Sequence, residues 1–253
     1  MTKRLPDFVI LGAQKAGTTS LFAYLAAHPA IAAPARKEIH FFDRQWNLGM
    51  DWYLNQFPQD LPVGQLTGEA TPYYLYHPLV PERLASVLPH ARLVVLLRDP
   101  VARAISHFHH VRNIEREPLA SLEEALAAEP ERLAGQDEAL ITGAVELSFA
   151  HQNFSYVDRG RYCPQIRRWF SCLSREQFLF LRAETFFAEP QRVLARVCDF
   201  LGIAPPPPMD FRPHNPGHYP APPSDLLARL AAEFREDQAE LASLLGAQFP
   251  EID

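Results

Sequence analysis

The sequence has 253 residues and a formal net charge of −6, and 47% of its residues are hydrophobic and 21% charged. This length and composition predict one large α/β domain with an ample core, and the negative charge excludes the broad basic surface of a nucleic-acid-binding protein. No run approaches the ~20 apolar residues that span a bilayer, and no signal peptide precedes Phe8, so we expect a cytoplasmic protein with no membrane partner.

The three cysteines, Cys163, Cys172 and Cys198, match no metal-binding spacing. An odd number of thiols cannot all pair in disulfides. We therefore expect reduced thiols in a reducing compartment.

The first patterned stretch is a strand, a glycine-bearing turn and a helix. Residues 8–11 are an apolar run that predicts a buried parallel strand, residues 12–17 form the turn, and residues 18–25 have apolar side chains at helical spacing. Backbone N–H groups of such a turn and the positive end of the helix point at one place. The stretch therefore predicts an anion-binding site.

This turn differs at one position from the phosphate-binding loop of nucleoside triphosphatases. Gly12 and Gly17 have the required spacing, but Thr18 stands where that motif has lysine, and the only lysine of the turn is Lys15. The displaced cation disfavours ATP or GTP hydrolysis and favours a nucleotide whose 5′ end carries a different transferable group. A plain helix cap in an α/β protein is the alternative interpretation of this stretch alone.

Residues 37–43, KEIHFFD, place ionisable side chains beside two aromatic ones. On a strand Glu38 and His40 share one face, because side chains alternate with period two. Beside an anion site, a carboxylate and an imidazole are candidates for a general base. The alternative is an edge strand with these polar side chains outward and with Ile39 and Phe41 inward.

The next elements are short. Residues 46–57 predict a short core helix, and residues 68–74 predict a strand end that runs into a turn. Glu69 in that turn either faces the site or is a loop charge. Residues 81–88 predict an amphipathic helix, and residues 91–97 predict a strongly apolar strand.

The strand over residues 91–97 ends at Arg98 and is followed by a helix over residues 101–110. Ligands of open parallel sheets bind beyond the carboxyl ends of the strands. Arg98, together with Ser106 two turns into the helix, therefore suits a second phosphate group. The alternative is a salt bridge between Arg98 and Asp99, with Ser106 on the surface.

The second half of the chain predicts an insertion and covering helices. Residues 113–153 are polar, acidic and rich in Ala and Glu, so we interpret them as an insertion or lid on the substrate side. Helices are predicted over residues 159–170, 190–201 and 224–245, with a strand over residues 177–181.

These motifs resemble those of the sulfotransferases that use 3′-phosphoadenosine 5′-phosphosulfate (PAPS), of the heparan-sulfate and carbohydrate type and their soluble bacterial counterparts. The resemblance covers nearly the whole chain and rests on residues 14–20, 37–43 with 51–53, 97–106, and 160–169 with 181–201. It implies a single domain over residues 1–253 with an α/β, P-loop-type fold: a three-layer sandwich with a central parallel sheet flanked by helices.

The resemblance also implies roles for individual residues. Glu38 is the general base toward the acceptor, Lys15 stabilises the leaving phosphate, and His40 orients the acceptor or the sulfuryl group. The residues implied in cofactor binding are Lys15, Ala16, Gly17, Thr18, Thr19, Ser20, Arg98, Ser106, Tyr162, Gly217 and His218. The candidates for acceptor binding are Phe41, Phe42, Glu69, Tyr73 and Tyr74. The chain departs from its relatives at Ala70, where many have lysine, and at His218, where arginine is usual.

The sequence thus predicts in-line transfer of a sulfuryl group from PAPS to a hydroxyl, with an amine as the second choice, on a small-molecule or carbohydrate acceptor. The product nucleotide is 3′-phosphoadenosine 5′-phosphate (PAP), and no metal ion is required. A P-loop small-molecule kinase is the alternative enzyme, disfavoured by the displaced lysine. A non-catalytic nucleotide-binding protein is a third hypothesis, disfavoured by Glu38 and His40. No nucleic-acid partner is expected, and the protein is expected to be a monomer or a homodimer.

Overall fold

A parallel four-stranded sheet organises the fold. The structure is a computed structural model that describes residues 4–211, 219 and 221–246. The strands are β1 Phe8–Gly12, β2 Gly68–Ala70, β3 Arg92–Leu97 and β4 Phe178–Arg182, and their order in the sheet is β2-β1-β3-β4. All neighbouring strands are parallel, and Val94 in the centre pairs with Ile10 on one side and Leu179 on the other.

Helices carry most of the remaining described chain. In chain order they are α1 Thr18–Ala26, α2 Phe41–Arg44, α3 Gly49–Leu54, α4 Val80–Val87, α5 Pro100–Asn113, α6 Leu122–Leu133, α7 Gln136–Ile141, α8 Phe149–Asn153, α9 Tyr162–Phe170, α10 Ala183–Ala188, α11 Pro190–Leu201 and α12 Ser224–Leu245. Short 3-10 turns occur at Trp46–Leu48, Asp158–Gly160 and Arg175–Gln177. Helix α1 packs against β1, β2 and α11, whereas α12 packs against α5 and α9.

The sheet lies in the core because its strands are nearly continuous apolar runs, as is typical of parallel strands covered on both faces. All residues of β1 are buried, and only Arg92 of β3 is exposed. Trp169 of α9 is fully buried and donates its indole N–H to the carbonyl oxygen of Leu75 at 3.1 Å. The predicted fold class, a P-loop-type α/β fold with a central parallel sheet between helices, is confirmed. The single-domain boundary stays a prediction.

Two segments differ from the elements that the sequence predicts. Residues 37–40 form a loop instead of a strand, because Glu38 and His40 have φ angles of 59° and 56°, outside the range of a strand. Residues 46–57 form a 3-10 turn and the short α3 instead of one helix. The other predicted helices and strands occur within a few residues of their expected bounds.

The segment interpreted as an insertion, residues 113–153, holds α6, α7 and α8. Helix α6 begins with a capping box, in which Ser121 and Glu124 each accept a hydrogen bond from the backbone N–H of the other. Ala125 of this helix is fully buried against a cluster that includes Phe108 and Leu230. The segment is therefore anchored to α5 and α12, and its role on the substrate side stays a prediction.

The start of α9 is capped from a distant helix. Helix α9 has no side-chain cap of its own and no acidic residue in its first turn. The buried Asp237 of α12 fills this role, since its two carboxylate oxygens accept the backbone N–H groups of Tyr162 and Cys163 at 2.9 and 3.0 Å. These two bonds join the C-terminal helix to the core.

Replacing Asp237 should therefore destabilise the fold. We expect Asp237→Ala to lower the free energy of unfolding by about 1–3 kcal/mol, because it leaves two backbone donors without their partner. Urea denaturation measures this difference. Glu236→Ala, at the exposed neighbouring position of the same helix, is the matched control. Equal effects of the two substitutions would contradict the capping role.

Candidate active site

A cleft of about 1190 Å³ opens beyond the carboxyl ends of β1 and β3. This is the edge at which parallel sheets place their ligands. Its walls come from the β1–α1 turn, the first turn of α1, the loop before α2, the end of β3 and the middle of α5. The predicted site residues on these walls are Lys15, Gly17, Thr18, Thr19, Ser20, Glu38, His40, Tyr73, Arg98 and Ser106.

The first turn of α1 presents an uncapped helix N-terminus to the cleft. Gly17 is the N-cap residue with φ of 95°, no side chain caps the helix, and its first turn holds no acidic residue. The first N–H groups of a helix have no partner within the helix, so this end attracts an anion. The φ of 95° lies in the left-handed region, where a residue with a Cβ is strained, and this explains why glycine occupies the turn.

Two basic side chains stand beside this helix end. Arg98 donates from Nη1 to the carbonyl oxygen of Lys15 at 2.9 Å and thereby fixes the β1–α1 turn. Burial and the positive charge of Arg98 lower the pKa of Lys15, while Glu38 acts in the opposite direction. An arriving anion relieves this repulsion between like charges.

The predicted alternative of a salt bridge between Arg98 and Asp99 does not describe the structure. Asp99 is the N-cap of α5 and accepts the N–H of Ala102 at 2.7 Å, and its own N–H donates to Glu184 at 2.9 Å. Ser106 is buried, with 7% of its surface exposed, and lies on the cleft wall rather than on an open surface.

Glu38 belongs to a chain of ionisable groups on the cleft wall. Lys37 Nζ donates to Glu38 Oε1 at 2.6 Å, and His40 Nε2 lies 3.4 Å from Glu38 Oε2. The other ring nitrogen of His40, Nδ1, lies 2.6 Å from Oδ2 of the buried Asp43. The left-handed backbone at Glu38 and His40 brings these side chains together, instead of the strand pleat that the sequence predicts.

The contacts in this chain set its protonation. Burial opposes ionisation of Glu38, but hydrogen bonds from His40 and Lys37 outweigh it and lower the pKa of Glu38 to about 2. Burial opposes protonation of His40, but hydrogen bonds to Asp43 and Glu38 raise the pKa of His40 to about 8. At neutral pH the site therefore holds Glu38 as a carboxylate beside a protonated imidazole.

Two residues in and behind the cleft have no predicted role in the sequence analysis. Asp43 follows His40 by three positions in the KEIHFFD motif, and that spacing at the start of a helix is the signal for their contact. Arg159 lies on the cleft wall with 2% of its surface exposed. It donates to the side-chain oxygen of Gln14 and to the carbonyl oxygens of His151 and Gln152, so it joins the β1–α1 turn to α8.

Several predicted acceptor-binding residues lie in the core instead of on the cleft wall. Phe41 and Phe42 are buried in an aromatic cluster, with the Phe41 ring stacked on Tyr53 at 4.4 Å between centroids. Tyr74 is fully buried, and its hydroxyl oxygen accepts the N–H of Phe41 at 2.8 Å. These buried aromatic side chains pack against the loop that carries Glu38. The expectation that they contact the acceptor is therefore corrected.

The expectation that Glu69 contacts the acceptor is also corrected, because this side chain lies in the core. It is fully buried, and its carboxylate accepts hydrogen bonds from Tyr53 and Thr71 at 2.7 Å each. Burial raises the pKa of Glu69 to about 7. A carboxyl group enclosed in this way belongs to the hydrogen-bond network of the core and does not line the cleft.

Four of the predicted cofactor-binding residues are not among the described lining residues of the cleft. Ala16 is buried below the turn, and Tyr162 lies behind the cleft, where its hydroxyl donates to the carbonyl oxygen of Arg98 at 2.9 Å. Tyr162 thus supports Arg98 rather than lining the cleft. Gly217 and His218 lie outside the described residues.

The described part of the chain has neither a membrane-spanning helix nor a metal-binding cluster. None of the helices given above combines the length and the apolar character needed to cross a bilayer. Within residues 4–211, 219 and 221–246, no group of three or more His, Cys, Asp or Glu side chains is arranged to hold a metal ion.

The chain resembles known proteins along most of its length. A family model described as "Sulfotransferase domain" matches residues 5–210. The chain is 32% identical over 202 residues to human heparan sulfate glucosamine 3-O-sulfotransferase 3B1, which covers 80% of this chain and 47% of that protein. It is 26% identical over 311 residues to the membrane-associated sulfotransferase kil1 of Dictyostelium discoideum, which covers 97% of this chain and 66% of that protein.

Among solved structures, a sulfotransferase from Alicyclobacillus acidocaldarius matches with a TM-score of 0.76 and 32% identity over 96% of each chain. The chain spans about half the length of the human relative, 47%.

Proposed function

Because this chain belongs to the sulfotransferase family, we propose that it transfers a sulfuryl group from PAPS to a hydroxyl group of a small-molecule or carbohydrate acceptor. One observation carries the proposal. The uncapped N-terminus of α1, the cations Lys15 and Arg98, and the ionised carboxylate of Glu38 line one cleft. A helix end that favours anions and a carboxylate that could accept a proton therefore line the same cleft.

The residues present suit a nucleotide with phosphates at both ends. Lys15 and the backbone N–H groups of residues 17–20 would hold the 5′-phosphosulfate, because a helix N-terminus and an ammonium group both favour negative charge. Arg98 and Ser106 would hold the 3′-phosphate, since both lie on the cleft wall. When bound, PAPS supplies the sulfuryl group, and PAP departs after the bond between sulfur and the bridging phosphate oxygen breaks.

Glu38 would receive the proton of the acceptor hydroxyl on its carboxylate. The low pKa of Glu38 keeps it in the form that accepts a proton. The acceptor oxygen becomes strongly acidic as it bonds to sulfur, so a weak base suffices at that stage. Asp43 would position His40, and His40 in turn Glu38, because the two contacts run in series from the buried carboxylate to the cleft.

The acceptor end of the cleft is polar with one aromatic wall. Tyr73 lies on this wall, and the side chains of Gln152, Asn153, Arg44 and Arg116 complete it. A ring beside amide and guanidinium donors suits a ring-bearing compound with several hydroxyl groups. The alternative of a P-loop kinase is not favoured, because Thr18 stands where such enzymes have the phosphate-binding lysine.

Nucleotide binding tests the donor. We expect isothermal titration calorimetry to give about 10–100-fold tighter binding for PAP than for AMP, because AMP lacks the 3′-phosphate that Arg98 and Ser106 would contact. Ser106→Ala should reduce this preference and leave the affinity for AMP unchanged. Equal affinities for PAP and AMP, or tight binding of ATP that requires Mg²⁺, would contradict the proposal.

Turnover tests the reaction itself. Radiolabelled sulfate from PAPS should appear in a hydroxyl-bearing compound of a host-cell extract, and mass spectrometry of the labelled product identifies the acceptor. Absence of transfer to any compound, with PAP binding intact, would leave a nucleotide-binding protein without this activity.

A further inference from the structure

A second cavity, of about 630 Å³, lies between α6 and α12 beside the 3-10 turn Asp158–Gly160. It shares no lining residue with the candidate active site. Its volume falls within the range of about 300–1,000 Å³ in which proteins bind small molecules. Nothing in the reaction proposed above uses it.

The walls of this cavity are largely apolar. The apolar side chains are Leu126, Pro130, Leu133, Val157, Leu226 and Leu230. Exposed apolar surface inside a concave site favours a ligand with an apolar body, because its burial releases water from both surfaces.

A buried carboxylate lies in this apolar wall. Glu129 is 3% exposed and accepts the backbone N–H groups of Val157 and Asp158, each at 2.8 Å. Among the described residues it forms no ion pair, and burial raises the pKa of Glu129 to about 7. Asp158 adds to this rise, while the two N–H groups and the more distant Arg103 oppose it. A buried carboxylate without a cation is costly, so a cationic ligand group would stabilise it.

Most of the other charged side chains that line the cavity are negative, like Glu129. The cavity is lined by five carboxylates, Glu123, Glu129, Asp137, Asp158 and Glu233, and by only two arginines. Both arginines already have carboxylate partners, Arg161 with Glu233 at 3.2 Å and Arg229 with Glu123. Asp137 pairs with His151 at 2.8 Å and with Arg168 at 3.8 Å, and Asp158 lies 3.7 Å from Arg161. Glu129 is therefore the lining carboxylate that has no basic partner among the described residues, and it favours a cation.

We propose that this cavity binds a small amphipathic organic cation, with a primary ammonium group directed at Glu129 and an apolar body between α6 and α12. The apolar walls match the apolar body of such a ligand, and the carboxylates match its ammonium group. A neutral compound of the same shape makes the apolar contacts but provides no cation for the carboxylates. This proposal does not depend on sulfuryl transfer, since the cavity and the cleft share no lining residue among the described residues.

Tryptamine and tryptophol form a matched pair of probes, because they differ in an ammonium and a hydroxyl group on the same indole-ethyl body. Calorimetry at pH 8 with saturating PAP keeps the cleft occupied and Glu129 largely ionised. We expect one tryptamine per chain and at least about 10-fold weaker binding of tryptophol.

Two substitutions locate the bound probe. Ala127→Trp should abolish tryptamine binding, because Ala127 lies on the cavity wall at an exposed position of α6 and the indole would fill the space. Ala232→Trp, on the exposed face of α12 outside the cavity, is its control and should leave the affinity unchanged. Glu129→Gln should weaken tryptamine about 10-fold and leave tryptophol unchanged.

Three results would overturn the proposal: no saturable binding of tryptamine at millimolar concentrations, equal affinities for the two probes, or binding that survives Ala127→Trp. Loss of tryptamine binding when PAP is added would place the probe in the cleft and would equally overturn it. A failure to bind PAP would contradict the proposed function alone.

Discussion

Glu38→Gln is expected to leave PAP bound with wild-type affinity and to lower kcat by about 10²–10⁴. The amide has nearly the size of the carboxylate but cannot accept the proton of the acceptor hydroxyl. The amide oxygen can keep one of the two native contacts, and the NH2 group, which only donates, loses the other, with Lys37 or with His40. Steady-state kinetics with PAPS, together with calorimetry for PAP, separates the loss of turnover from the loss of nucleotide binding.

Glu236→Gln is the matched control for this substitution, because it makes the same chemical change at an exposed position of α12. It should retain wild-type kinetics. Unchanged turnover in Glu38→Gln would move the base to the neutral form of His40, the adjacent titratable side chain on the wall, whose pKa is no longer raised by the Glu38 carboxylate. Glu69 is not a substitute, because it is enclosed by Tyr53, Thr71 and Tyr74.

The parts of the site that local sequence determines were predictable. The apolar run of β1, the glycines of the turn and the start of α1 are adjacent in the chain, and each has a strong local preference. The same holds for Arg98, because it directly follows the apolar strand β3. The fold class follows from the repetition of this strand–turn–helix pattern, and it is confirmed.

The loop that carries Glu38 shows where local reasoning fails. Its alternating polar and apolar residues are typical of a strand, yet Glu38 and His40 adopt positive φ angles. The buried Phe41 and Phe42 and the hydroxyl of Tyr74 hold the chain in this conformation. These contacts join residues about 30 positions apart, and no local propensity encodes them.

The same limit applies to residues without a predicted role. Arg159 and Gln14 are separated by 145 positions, so their contact exists only in the folded chain. The sequence predicts that Phe41 and Phe42, beside Glu38, contact the acceptor, whereas both side chains are buried in the core. Phenylalanine is more often buried in a core than exposed in a binding site, so an aromatic pair beside a motif does not by itself indicate a role in binding.

Lys15 is the residue with the second large expected effect. It lies in the turn with φ of 71°, and Arg98 fixes its carbonyl oxygen at 2.9 Å. Burial and the positive charge of Arg98 lower the pKa of Lys15, so keeping Lys15 charged beside Arg98 has a free-energy cost. Charge that grows on the leaving phosphate during sulfuryl transfer would reduce this cost, so the interaction is stronger in the transition state than in the ground state.

Lys15→Met is therefore expected to lower kcat by about 10²–10³ and to weaken PAP binding by a smaller factor. Methionine retains the length and apolar stem of lysine without its charge. Arg196→Met, which removes one positive charge from the exposed surface of α11, is the control for net charge and should change neither quantity. An equal loss in kcat and in PAP affinity would mean that Lys15 stabilises the bound nucleotide uniformly, and the preferential stabilisation of the leaving phosphate would then be wrong.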